Sequence, residues 1–284
     1  MNVSRLLTLA LLGLGVSGSA AVFPPAHEFF APLLADESEP RFGFSLGAGV
    51  RERGLARVDV GDYLGIYRMA LTRDVAAQLN IGAAIFTRFD ATTHNIQVID
   101  YYANVPVDFR SGKTSMRVMF YHDSSHLGDD YLKERGIQTT SRSWEALRVV
   151  LAYDLLKTLR IYAGSARAMH TTPAWSGRQS VQGGAEIFFR MPEKARWLPY
   201  WANDLQAWER TSWNPTWTSQ VGLKTAADYS RGRGITYFAQ LRTGPRLEGQ
   251  FFSRKETVWS AGLKFALSQN PLAPSDPPGP AGKK

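Results

Sequence analysis

The feature that most constrains this chain is a two-residue alternation of apolar and polar side chains that recurs along residues 41–267. Phe42, Phe44, Leu46, Ala48 and Val50 share one parity, and Arg41, Gly43, Ser45, Gly47 and Gly49 the other. The same pattern returns at Leu79–Ile85, Ile99–Val105, Leu147–Tyr153, Val181–Phe189, Ile235–Leu241 and Trp259–Leu267, among others. Successive side chains of a strand point to opposite faces, so each stretch predicts a strand with one greasy face. Nine alternations are clean and three weaker ones fall near 57–69, 159–169 and 199–208. Together they predict about 12 strands of roughly ten residues, the length that crosses a bilayer at a tilt.

A soluble sandwich also alternates, but its solvent faces are not built this way. Here the polar parity mixes charges with many Gly, Ala and Ser, as a narrow lumen requires, and the opposite parity is almost uniformly apolar. No apolar run of the mature chain approaches the ~18 residues of a membrane helix. The expected fold is therefore all-β, a transmembrane antiparallel up-and-down barrel of one domain over residues 41–267, in the outer membrane. Parity points Arg88, Arg117, Arg148, Arg190, Lys224, Arg242 and Lys264 inward, against Asp100, Asp108, Glu186 and Asp228. Short turns at 110–113, 154–158 and 231–234 should alternate with longer loops at 127–142, 170–178, 209–216 and 245–256.

The flanks read differently. Arg5, the apolar run Leu6–Val16 and the small residues Gly18-Ser19-Ala20 predict a secretory signal over residues 1–20. Residues 21–40 form a Pro-interrupted periplasmic lead-in whose Phe-Phe and Leu-Leu pairs would pack under the barrel or plug its mouth. Residues 268–284 are rich in Pro, Gly and Ala and predict a disordered tail. The chain has no cysteine, which suits an exported barrel held by backbone hydrogen bonds. A net charge of +8 falls to +7 without Arg5. With no nucleic-acid motif, membrane lipids or lipopolysaccharide are the expected partners. Eight Trp and eleven Tyr supply two interfacial girdles.

One stretch breaks the greasy parity. After Met116, Val118 and Phe120, the same face continues with His122, Ser124 and His126, before Leu127-Gly128-Asp129-Asp130. Polar groups toward lipid are costly, so this row calls for a reason. His and Ser two apart on a strand lie about 7 Å apart on one side, within reach of a hydroxyl-to-imidazole proton transfer. Glu145 has the parity of Leu147 and Val149. If Val118 pairs with Val149, it lies beside His122 and can fix the imidazole tautomer. The expected site is thus Ser124 as nucleophile, His122 as base and Glu145 as orienting acid. His126, Ser125 and Asp123 are binding residues beside it, with His126 or N–H groups near Gly128 as candidates for the oxyanion. His94 and His170 are expected to be solvated loop residues. No metal site is predicted. Asp129 and Asp130 with Asp123 offer oxygens of the kind calcium takes, at a spacing that matches no loop motif.

His122-x-Ser124 near a strand's outer end, with Glu145 on the next strand, resembles outer-membrane phospholipase A and the lipid A deacylase. It departs from them at Ser125, where those families carry Asn. The resemblance implies an active site on the barrel's outside and hydrolysis of a phospholipid or lipid A ester. The whole stretch HDSSHLGDDY, with FFAPLLADESEPR, resembles an uncharacterised family of outer-membrane barrels, a domain of unknown function. Ser260, Gly262, Phe265 and Leu267 resemble the last-strand signal read by the barrel-assembly machinery, followed here by an added tail. The alternative to the lipid ester hydrolase is a non-enzymatic narrow pore or structural barrel for small anions.

Overall fold

The structure is a computed structural model and describes residues 29–50, 54–138, 141–189, 197–225 and 234–265. The expected signal, residues 21–28, Arg190, Asp228, Leu267 and the tail lie outside the described residues. Twelve strands follow one another: β1 Phe42–Gly49, β2 Leu55–Ala70, β3 Ala76–Asp90, β4 Ile96–Ser111, β5 Thr114–Leu127, β6 Arg142–Leu156, β7 Leu159–Thr172, β8 Gln179–Phe188, β9 Trp197–Trp208, β10 Pro215–Thr225, β11 Ile235–Pro245 and β12 Lys255–Phe265. Each pairs antiparallel with the next, and β1 closes on β12 through Phe42↔Phe265 to Gly49↔Val258. A short helix, α1 Asp129–Arg135, sits in the β5–β6 connection, with acids in its first turn and Gly136 in the left-handed conformation after its last. The alternation resolves as predicted, and closure leaves no unpaired edge. Strands β2–β7 run 14–16 residues, longer than the ten expected, while β1 has eight.

The outward parity exposes Phe44, Leu46, Leu79, Ile81, Leu151 and Val221, among others. Trp197 on β9 and Trp217, which pairs with Leu205 of β9, are eight residues apart along the strand. At ~3.3 Å per residue that is about 26 Å along the strand, or roughly 20 Å of height at a tilt of about 40°, close to the ~25 Å apolar belt between two aromatic girdles. We call the end of the β4–β5 and β6–β7 turns the turn end, and the end carrying α1 the loop end.

The inward parity explains its small residues. Tyr63 pairs with Gly82, Tyr162 with Gly184 and Tyr200 with Gly222. In each pair the ring lies where a Cβ on the glycine would have to stand, within 2.3–2.7 Å of a ring carbon or the hydroxyl. The lumen wall is therefore built of tyrosines laid flat over paired glycines. The predicted inward charges that are described all face the interior, with Arg117 and Glu186 almost fully buried. Several pair along the wall: Arg117 Nε lies 2.7 Å from Asp108 Oδ1 and Arg160 Nη1 3.2 Å from Glu186 Oε2.

The lumen is filled from both ends. From the turn end, residues 29–41 enter as a re-entrant plug. Phe30 and Leu33 pack with Val150, Ala152 and Tyr162, and Ala35 with Tyr200 and Ala202. The chain turns at Asp36–Ser38, where the Ser38 N–H donates to Asp36 Oδ1 at 2.8 Å. It then descends to Arg41 and β1. Plugging the mouth, not packing beneath the barrel, is the outcome for the described part of the lead-in. From the loop end, the β11–β12 connection folds inward. Arg246 and Glu248 are buried, and Phe251 packs on Val98 and Tyr131. The Gly249 N–H donates to Asp100 Oδ2 at 3.2 Å.

Candidate active site

Strand β5 carries the polar row to the loop end, in the register that pairs Val118 with Val149 as expected. The same register pairs His122 with Glu145. His122, Ser124 and His126 continue the outward parity of Phe120, and His122 Nδ1 lies 2.7 Å from Glu145 Oε1. The His122 side chain is 45 % exposed and that of Glu145 27 %, so the pair sits on the bilayer-facing surface, not in the lumen. A carboxylate on Nδ1 fixes that nitrogen as the protonated one and leaves Nε2 as an acceptor.

Two further contacts were not anticipated. Ser124 Oγ lies 2.9 Å from Nε2 of His126, not against His122, so the resting serine is paired with the other imidazole. His126 also meets the edge of the Tyr101 ring, with centroids 5.8 Å apart. His170 is exposed as expected but does not lie in a loop. It belongs to β7, and its Nδ1 lies 2.8 Å from Glu145 Oε2. A register shift between Glu145 and Ala146 in the β6–β7 ladder brings it there. The bulge turns His170 outward beside Met169, breaking the alternation.

Of the expected binding residues, only His126 shares this face. Asp123 and Ser125 have the opposite parity and point into the barrel. The Ser125 hydroxyl is buried, donates to Asp100 and accepts the Gln250 N–H at 3.0 Å. Gln250 Nε2 donates to the Ser125 carbonyl at 2.7 Å. Strand alternation makes this separation unavoidable. Ser125 braces the far side of the strand that bears Ser124. The N–H of Gly128 donates to the carbonyl of Gln97 at 3.2 Å, so it is not held for an oxyanion. Asp129 and Asp130 occupy the exposed first turn of α1, on the loop side of the wall that hides Asp123. Among the described residues no group of three or more His, Cys, Asp or Glu side chains is placed to hold a metal ion. The calcium cluster is therefore not assembled.

Residues 16–266 match the family described as a protein of unknown function, DUF1207. The chain belongs to this family. No curated protein matches it. Among solved structures, outer-membrane phospholipase A from Escherichia coli is 10 % identical with a TM-score of 0.51, covering 83 % of this chain and 94 % of that one. A KdgM porin is 9 % identical with a TM-score of 0.47, covering 79 % of this chain and 98 % of the other. At such identities the likeness is one of fold. This DUF1207 member has the closed β-barrel fold of outer-membrane proteins.

Proposed function

We propose that the protein is a lipid acyl hydrolase working on its bilayer-facing surface at the loop end. In outer-membrane barrels that end faces the outside, so the substrate is an ester of an outer-leaflet phospholipid or lipid A. The observation that carries the reading is the 2.7 Å contact between His122 Nδ1 and Glu145 Oε1, on the same lipid-facing row as Ser124. An imidazole held by a carboxylate on Nδ1 presents Nε2 as a general base, the role a serine nucleophile needs.

Ser124 stands between two imidazoles at equal spacing along the strand. A rotation about its Cα–Cβ bond moves the hydroxyl from His126 to His122. His122 Nε2 then takes the Ser124 proton as Oγ attacks the ester carbonyl. The imidazolium returns that proton to the departing alkoxide, leaving an acyl-serine. Water, deprotonated by the same imidazole, releases the fatty acid and restores Ser124. Glu145 stabilises the imidazolium throughout, and His126, freed of Ser124, serves in this reading as the donor to the developing oxyanion.

The test is fatty-acid release from mixed micelles by the wild-type chain and by Ser124→Ala, His122→Ala, Glu145→Gln and His126→Ala. Ser124→Ala and His122→Ala should abolish release. Glu145→Gln should lower it by about 10²–10⁴-fold, the scale of losing the orienting acid of a triad. A silent His122→Ala with an inactive His126→Ala would move the base to His126. No release by the wild type, or equal release by all five, would remove the enzyme. The pore reading has less to rest on, because plug and inward loop together occupy the lumen an anion would cross.

A further inference from the structure

The plug is more than filler. At its tip, Asp36-Glu37-Ser38-Glu39 meets arginines from four different strands. Arg148 Nη2 of β6 lies 2.6 Å from Asp36 Oδ2, and Arg57 Nη1 of β2 lies 3.0 Å from Glu37 Oε2. Arg242 Nε of β11 lies 3.4 Å from the same Glu37 oxygen, and Arg117 Nη1 of β5 lies 3.7 Å from Glu39 Oε2. The wall also reads the plug's backbone in both senses. Arg57 donates to the Glu37 carbonyl at 2.8 Å, Lys264 to the Leu34 carbonyl at 2.9 Å and Arg117 to the Phe30 carbonyl at 3.2 Å. Glu186 accepts the Leu34 N–H at 2.7 Å and Asp108 the Phe30 N–H at 3.3 Å.

Guanidinium groups paired with side-chain carboxylates, with wall donors and acceptors matched to peptide carbonyls and N–H groups, are the chemistry of peptide recognition. An acidic oligosaccharide would pair with the arginines but has no N–H groups spaced for Glu186 and Asp108. We propose that the lumen wall is a binding channel for an extended acidic peptide, entered from the turn end, and that residues 29–41 are its tethered occupant. Tethering holds the occupant at an effective concentration of roughly millimolar, so a free peptide enters only when the plug is withdrawn or removed.

The experiment uses a fluorescent peptide with the sequence of residues 29–39 and reads anisotropy against three full barrels: wild type, a variant lacking 29–39, and Asp36→Asn/Glu37→Gln/Glu39→Gln. The deletion barrel should bind the peptide about 100-fold more tightly than wild type, the scale by which a tethered competitor masks its site. A peptide with the three acids neutralised, or Arg148→Gln in the deletion barrel, should weaken binding by roughly tenfold or more. If the deletion barrel does not assemble, the triple variant carries the test and should admit the acidic peptide where wild type does not. Equal binding of acidic and neutralised peptides, no binding to an assembled deletion barrel or to the triple variant, or equal affinity for an oligogalacturonate of matched charge would each overturn the proposal.

Discussion

His122 and Glu145 stand directly opposite each other across the β5–β6 ladder, Nδ1 2.7 Å from Oε1, on the face that meets lipid. Directly opposed cross-strand pairs whose side chains interact contribute about 0.2–1 kcal/mol to a sheet. His122→Ala and Glu145→Ala should therefore each cost about 1 kcal/mol or less in urea unfolding from liposomes. Their effect on fatty-acid release should be far larger. A loss of stability of several kcal/mol with unchanged lipid turnover would assign the pair a structural role.

Tyr162 over Gly184 sets a steric prediction. A Cβ at Gly184 would come 2.3 Å from the Tyr162 hydroxyl, which donates at 2.7 Å to Asp204 Oδ1. Gly184→Ala should destabilise the barrel by about 1–3 kcal/mol, the cost of overpacking, together with displacement of that hydroxyl. Tyr162→Ala added to Gly184→Ala should cost less than the two changes summed. Additivity in the folded-to-unfolded midpoint would refute the contact.

The buried Arg148–Asp36 pair joins plug to wall. Removing one partner strands a charge, at a cost of about 3–5 kcal/mol, whereas removing both is much milder. Arg148→Gln should thus loosen residues 29–41 in hydrogen exchange, and Arg148→Gln with Asp36→Asn should tighten them again. Equal protection in both variants would show that the pair does not hold the plug.

Acid should withdraw the plug, and the direction follows from Asp36. Burial pushes its carboxyl up, but Arg148, with Gln182 and the Ser38 N–H, more than offsets this and brings it from 3.8 down to about 2. Burial likewise raises Glu37, and Arg242 and Arg57 outweigh it to leave that carboxyl lowered. A depressed folded pKa gives stability that is full above the unfolded value and disappears as pH falls through the folded one, here between about 4 and about 2. Pepsin, active in that window, should begin to cut within residues 29–35 as pH drops through it. Asp36→Asn should allow cutting at the top of the window, and cutting that is independent of pH would contradict the assignment.

Gln250 grips Ser125 on the lumen side of β5 through its N–H and its amide. Gln250→Ala removes the amide's hydrogen bond to the Ser125 carbonyl, worth about 1 kcal/mol net, so amides of residues 246–254 should exchange roughly fivefold to tenfold faster. Unchanged exchange would show that Phe251 and the buried arginines hold the loop alone.

The alternation of Phe42 to Val50, and its repeats, sufficed to specify twelve strands, their parity and the inward arginines, because a residue's face in a strand depends only on its own position. The same parity put His122, Ser124 and His126 toward lipid, and matching Val118 to Val149 brought in Glu145. Tertiary structure alone decided the rest. His170 reached Glu145 through a bulge, which shifts parity by one residue and leaves no mark in composition. Ser124 pairs with His126 and not His122, a choice that equal spacing along the strand cannot rank. Residues 29–41 found the lumen because their acids and backbone groups match arginines brought together from four strands, a juxtaposition that exists only once the barrel has closed.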